Sequence, residues 1–95
     1  MTKQEKEERI EYLKVLKDKW QQKAEKVLLG KKIVKVEWMT DKECEDAGWY
    51  SKPICMLLDD GTWIYPSKDD EGNDGGALFT TSKLESCLPV FNIGD

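Results

Sequence analysis

The residues best placed to do chemistry lie in Ser67–Gly76, SKDDEGNDGG, which carries four acids and three glycines in ten positions. That density excludes a helix or a strand. Acidic loops hold hard cations through carboxylate and carbonyl oxygens, and Asp69, Glu71 and Asn73 alternate as such ligands would. The calcium helix-loop-helix pattern needs a glycine after the third ligand, where this chain has Asp74. It also needs an acid eleven residues after Asp69, where the chain has Thr80. The pattern fails, and neither a metal nor a cofactor is expected. A second reading has the Asp and Asn side chains capping the loop's own N–H groups in Asx turns. A third has Gly72, Gly75 and Gly76 turning N–H groups toward an anion, helped by Lys68. The surrounding carboxylates oppose an anion, so the conformational reading is favoured.

Aromatic residues form the second set: Trp38, Trp49, Tyr50, Trp63, Tyr65 and Phe79. On a strand, Trp63 and Tyr65 point to one face. With Trp49 and Phe79 they would line a pocket beside the loop, suited to stacking on a base or sugar. Filling a small core is the plainer account and is favoured. The candidate binding residues are therefore Trp49, Trp63, Tyr65, Lys68, Asp69, Asp70, Glu71, Asn73, Asp74 and Phe79.

No catalytic residue is assigned. The chain has no His, which removes Cys–His and Ser–His–Asp chemistry and the usual zinc patterns. Asp59-Asp60 and Asp69-Asp70 sit in turn contexts, and adjacent side chains point apart, so neither pair suits acid–base work. Cys44, Cys55 and Cys87 are odd in number and widely spaced, which reads as structural thiols and not as a disulfide framework.

The elements that must position these residues follow from periodicity. From Lys3 to Leu29, Ile10, Leu13, Leu16, Trp20, Ala24, Val27 and Leu28 recur at helical spacing, and Gly30 sits where a helix ends. Such a helix would be about 40 Å long, longer than a small sheet needs, with Trp20 as its anchor. KIVKVEWM, from Lys32 to Met39, alternates as a strand. Thr40 and Glu43 form a capping box that opens a short helix near 41–47, closed by Gly48. Pro53–Asp59 is apolar nearly throughout, as suits a central strand. Asp-Gly at 60–61 turns the chain into Thr62–Tyr65, and Pro66 stops that strand. Ala77–Thr80 reads as a short strand, Ser82–Glu85 as one helical turn, and Cys87–Phe91 as an edge strand.

Charge is unevenly placed. Residues 1–35 hold ten Lys and Arg9 against six acids, a balance of +5, while residues 36–95 hold four Lys against thirteen acids, −9. A basic helix and an acidic remainder attract one another, within a chain or between two. The helix lysines alternate with acids and the chain is acidic overall, so direct duplex nucleic-acid binding is not expected. No apolar run approaches the length of a membrane span, and the N-terminus lacks an apolar signal core. A cytoplasmic protein is the expectation.

The segments LLGKKIVKVEWMT, GWYSKPICMLLDDGTWIYPSKDDEGNDGGALFT and LPVF together resemble a family of small uncharacterised proteins of tailed phages, cyanophages among them, and of scattered bacteria. The resemblance covers about residues 28–91. Its most specific part is PSKDDEGNDGGALF, from Pro66 to Phe79, and the basic helix lies outside it. It implies a phage-type accessory protein acting in the host cytoplasm, with a host protein as a possible partner. No activity comes with it.

The expected fold is α+β: a single domain, 1–95, with an N-terminal amphipathic helix over 1–30 and a β-rich part over 31–95. The helix would pack on an antiparallel sheet of three to five strands centred on the hairpin 53–66. A homodimer is expected from the helix and the charge division. The expected function is non-catalytic binding through the 67–76 loop and flanking aromatics. The alternative is a protein that binds or sequesters a nucleotide-like small ligand, or a small enzyme.

Overall fold

Residues 2–95 are described in a computed structural model with an α+β fold. The chain divides into two units, one ending at Lys31 and the other running Lys32–Asp95.

The first unit is helix α1, Lys3–Leu28. Thr2 opens it through a capping box: its hydroxyl accepts the Glu5 N–H, and the Glu5 carboxylate accepts the Thr2 N–H, each at 3.2 Å. Leu29 is the cap, and Gly30 takes the left-handed turn beyond it at φ 75°. No residue of α1 is buried. Its apolar stripe is exposed, and Trp20, expected to anchor the helix, is 61% exposed with the Lys23 ammonium 4.6 Å above its ring.

The second unit is built on a three-stranded antiparallel sheet. Strand β1 is Ile33–Trp38, and helix α2, Asp41–Ala47, follows it. Then come β2, Ser51–Lys52, β3, Ile54–Leu58, and β4, Trp63–Ile64. The order is β1-β3-β4, so the apolar run Ile54–Leu58 is the central strand. Its hairpin partner β4 lies at the edge. The turn between them is closed by Leu58 N–H to Thr62 O at 2.8 Å and by Thr62 N–H to Asp60 Oδ1 at 3.0 Å, with Gly61 at φ 89°.

Register decides which side chains share a face. Val36 pairs with Met56 and Met56 with Ile64; Glu37 pairs with Cys55, and Leu57 with Trp63. Alternation then puts Val36, Trp38, Ile54, Met56 and Ile64 on one face, and Lys35, Glu37, Cys55, Leu57 and Trp63 on the other. The small core consists of Cys44, Trp49, Pro53, Ile54, Cys55 and Leu58.

The C-terminal chain departs from expectation. Instead of one edge strand over Cys87–Phe91, there are two short ones separated at Pro89. Strand β5, Leu78–Phe79, pairs with β6, Cys87–Leu88, and β7, Phe91–Asn92, pairs with β2. Proline has no N–H for a ladder, and the chain changes partners there. Nor is Ser82–Glu85 helical. Ser82 N–H donates to Thr80 Oγ1 and Leu84 N–H to Ser82 Oγ, both at 3.1 Å, while the Glu85 carboxylate accepts forward from Ser86 and Cys87. Hydroxyl turns replace the capping box because the Glu85 side chain is committed downstream.

Side chains tie this segment back. The Trp38 indole N–H donates to Pro89 O at 2.9 Å, and its ring meets Phe91 edge-on at 5.2 Å. Lys52, only 9% exposed, places its ammonium 3.0 Å from Asp41 Oδ1 and 2.8 Å from the Asp95 main-chain oxygen. Those partners offset the cost of removing its charge from water.

Helix α2 begins with a second capping box, Thr40 with Glu43, and ends on left-handed Gly48. Thr40→Ala removes the hydroxyl that accepts the Glu43 N–H. It is expected to lower stability by about 1 kcal/mol, read as a lower urea midpoint at unchanged slope.

Candidate functional site

Asp74 organises the region. Its Oδ1 accepts the backbone N–H groups of Gly75 at 2.8 Å, Ser51 at 2.9 Å and Tyr50 at 3.0 Å. Its Oδ2 faces the Ser51 hydroxyl at 3.4 Å. Thus one carboxylate joins the loop to the chain entering β2. Burial pushes the Asp74 pKa up, but the N–H donors of Ser51, Gly75 and Tyr50 outweigh it and hold the group below the ordinary carboxylate value.

The rest of the loop folds on itself. Asp69 Oδ1 accepts from Glu71 N at 3.0 Å and Asn73 N at 3.2 Å, and Oδ2 accepts from the Asn73 amide at 2.9 Å. The Asn73 amide, then its backbone N–H, hold the Asp69 carboxyl below its usual range. These are the Asx turns favoured on sequence grounds. The loop's two ends meet: Ser67 bridges Gly75, Ser67 Oγ donates to Asp74 O at 2.7 Å, and Gly76 N–H donates to Pro66 O at 3.0 Å. Gly75 is required for contact rather than for φ. A Cβ there would lie 2.3 Å from Ser51 O and 2.6 Å from Pro53 Cδ.

Trp49 connects this loop to the sheet. The ring is 7% exposed and its indole N–H donates to Gly72 O at 2.7 Å. The ring of Tyr65 meets it edge-on at 5.8 Å with planes 63° apart. Trp49, Tyr65 and Trp63 border a cavity of about 360 Å³ on the Glu37–Cys55 face of the sheet. Glu37 and Cys55 enter it from the sheet and Glu43 and Ala47 from α2, with Met39 between them. Its size is at the small end of ligand pockets.

The cavity's electrostatics are acidic. Glu43 is held below its ordinary pKa by the Thr40 hydroxyl first and the Thr40 N–H second. Glu37 lies 3.5 Å from the Lys35 ammonium, which is itself 6.0 Å from the Trp63 ring centroid. Burial raises the Cys55 thiol, and the carboxylates Glu43 and Glu37 raise it further, so it stays protonated and is a poor nucleophile. Cys44 is likewise raised by burial.

The sequence candidates therefore divide. Trp49, Trp63 and Tyr65 come together as walls of one cavity. Asp69, Asn73 and Asp74 build the loop: their polar atoms are engaged within the chain. Lys68, Asp70 and Glu71 are exposed on the loop and do not line the cavity. Phe79 does not border it either. It sits on β5 opposite Cys87, 79% exposed, because the chain beyond Gly76 pairs with β6. Glu37, Met39, Glu43, Ala47 and Cys55 also line the cavity and are not among the binding candidates read from the sequence, where Glu43 is a helix cap and Cys55 a structural thiol. The alternation of β1 was legible, but the Glu37–Cys55 pairing that brings them together is a matter of register. Among the described residues no three His, Cys, Asp or Glu side chains are grouped to hold a metal ion, and no helix is long and apolar enough to cross a membrane.

Comparison with protein families, with curated proteins and with solved structures finds no match.

Two outcomes test the loop's construction. Gly75→Ala forces Ser51 or Pro53 to move and should destabilise by about 1–3 kcal/mol, measured by chemical denaturation. The pH dependence follows from Asp69 and Asp74. Both have folded-state pKa values below their unfolded ones, so their stabilisation is complete above the ordinary carboxylate range, about pH 4. It is lost as pH falls through the folded values. Trp49 fluorescence should report loop loosening below about pH 4, and Asp74→Asn should flatten that acid limb.

Proposed function

We propose that this chain is a non-catalytic binding protein whose contact surface is the cavity walled by Trp49, Trp63 and Tyr65, with the 67–76 loop beside it. One observation carries the reading. A loop whose Asp69 and Asp74 carboxylates accept backbone N–H groups of the loop and of residues 50–51, and whose Asn73 amide donates to Asp69, stands beside the half-exposed rings of Trp63 and Tyr65. Rigid aromatic surface binds with little loss of conformational freedom. The resemblance of the Pro66–Phe79 block to small tailed-phage proteins supports an accessory role in the host cytoplasm, directed at a host component.

The cavity supports a second reading, capture of a small ligand. Of nucleotide-like molecules it favours those without phosphate, since Glu37 and Glu43 repel an anion. Native mass spectrometry of protein purified from cells separates the readings: a retained polypeptide supports the first and a retained small molecule the second. Alanine at both Trp63 and Tyr65 should weaken retention at least about tenfold, the effect of losing two aromatic contacts. Unchanged retention would assign the contact to another surface.

We also infer a homodimer formed through α1. Ile10, Leu13, Leu16, Trp20 and Val27 are exposed along one stripe of a 26-residue helix. Apolar stripes of this length pair with a second helix in water. Light scattering after size-exclusion chromatography should give twice the 11.0 kDa chain mass, and Leu16→Glu with Trp20→Glu should return a monomer. A monomer at all concentrations for the unaltered chain would reject the dimer.

A further inference from the structure

The walls of the cavity carry more information than its volume. Three aromatic and two acidic residues line it, and none of the described lining residues is cationic. Aromatic faces are negative at their centres and attract cations, most strongly when water is excluded. The Trp49 ring is locked by its N–H to Gly72 O and by the edge of Tyr65, so it cannot turn away. Glu43 is fixed too: its Oε1 lies 2.7 Å from the Thr40 hydroxyl and 3.2 Å from the Thr40 N–H. The chain supplies its own indication of what the rim accepts. The Lys35 ammonium sits beside Glu37 at 3.5 Å and within cation–π reach of Trp63 at 6.0 Å.

Going beyond the binding role proposed above, and resting on its choice of surface, we propose that the cavity is a site for an organic cation, an alkylated ammonium group held by Trp49, Trp63 and Tyr65 with Glu37 and Glu43 as counter-charges. The rings take the apolar shell of such a group, and the carboxylates take its charge. A bare metal ion is not the fitting occupant: among the described lining residues Glu37 and Glu43 are the only carboxylates, and the rest are largely aromatic or apolar. A phosphate-bearing ligand would meet the same two carboxylates with the wrong sign.

The test is titration of the full chain, followed by tryptophan fluorescence and calorimetry, with choline and with its neutral isostere 3,3-dimethylbutan-1-ol. Choline should bind at least about tenfold more tightly, the difference a desolvated cation–π contact makes. Glu37→Gln and Trp63→Leu should each weaken choline at least about fivefold while the thermal midpoint stays within a few degrees; both residues are partly exposed. Equal affinities for choline and the isostere, tighter binding of adenosine monophosphate, or no choline binding at 20 mM would each overturn the proposal. The ammonium group has two sources, and a second arm distinguishes them. A short peptide carrying trimethyllysine that binds at least tenfold more tightly than choline assigns a polypeptide side chain. Equal affinities assign a free small cation. Failure here with partner retention still lost on Trp63 and Tyr65 substitution would remove the cation and leave the binding surface standing.

Discussion

The second unit depends on the contacts of one carboxylate. Asp74 gathers N–H groups from Tyr50, Ser51 and Gly75, which belong to segments more than twenty residues apart in sequence. None of the three donors is engaged by a long strand there, because β2 has only two residues. Without Asp74, three amides at a half-buried junction would each need another acceptor, and unpaired buried donors are costly. The contact also explains the glycine next to it. Bringing residue 75 against Ser51 O and Pro53 Cδ leaves no room for a Cβ. The acid and the glycine are thus one device: the acid draws the loop in, and the glycine lets it arrive.

That device has a consequence for where chemistry resides. In sequence, the density of acids makes the loop itself look like the site. In three dimensions its key acids face inward to the backbone: Asp69 is closed by Asn73, and Asp74 by residues 50, 51 and 75. What the loop offers the neighbouring surface is position. Its Gly72 carbonyl accepts the Trp49 N–H and fixes that ring, against which Tyr65 packs. The loop is scaffold: it fixes the buried Trp49, beside which Tyr65 and Trp63 stay half-exposed. A ring held by a hydrogen bond at its N–H and packed against a second ring loses little further freedom on contact with a ligand.

Legibility tracked the range of the interactions. Thr40 with Glu43 is three residues long and was plain in the sequence, as were the turn at Asp60-Gly61 and the helix through Leu28. Thr2 and Glu5 carry the same T-x-x-E signature and form the equivalent box at the start of α1. Ser82 and Glu85 show the limit of that signature: the Glu85 carboxylate has nearer donors at Ser86 and Cys87, and the box does not form. The division of Cys87–Phe91 at Pro89 follows a local rule, but which strand each half would join does not. Glu37 and Cys55 meet through register, and Trp49 meets Gly72 across twenty-three residues; no local pattern encodes either.

The electrostatic character of the cavity follows from these same constraints. Glu43 serves as the N3 residue of a capping box, which orients its carboxylate and keeps it ionised. Glu37 is placed by alternation on the face opposite Trp38, whose indole is needed at Pro89. Both residues thus bring negative charge to one largely apolar lining, in which none of the described residues is cationic. Lys35 lies on the same face and answers that charge at the rim, at the distance of an exposed ion pair, which is worth little and readily exchanged. A space with aromatic walls and residual negative charge discriminates by sign before it discriminates by shape. An anion would meet Glu37 and Glu43 in that lining with the wrong sign, which is the electrostatic consequence of the β1–β3 register and of the α2 capping box.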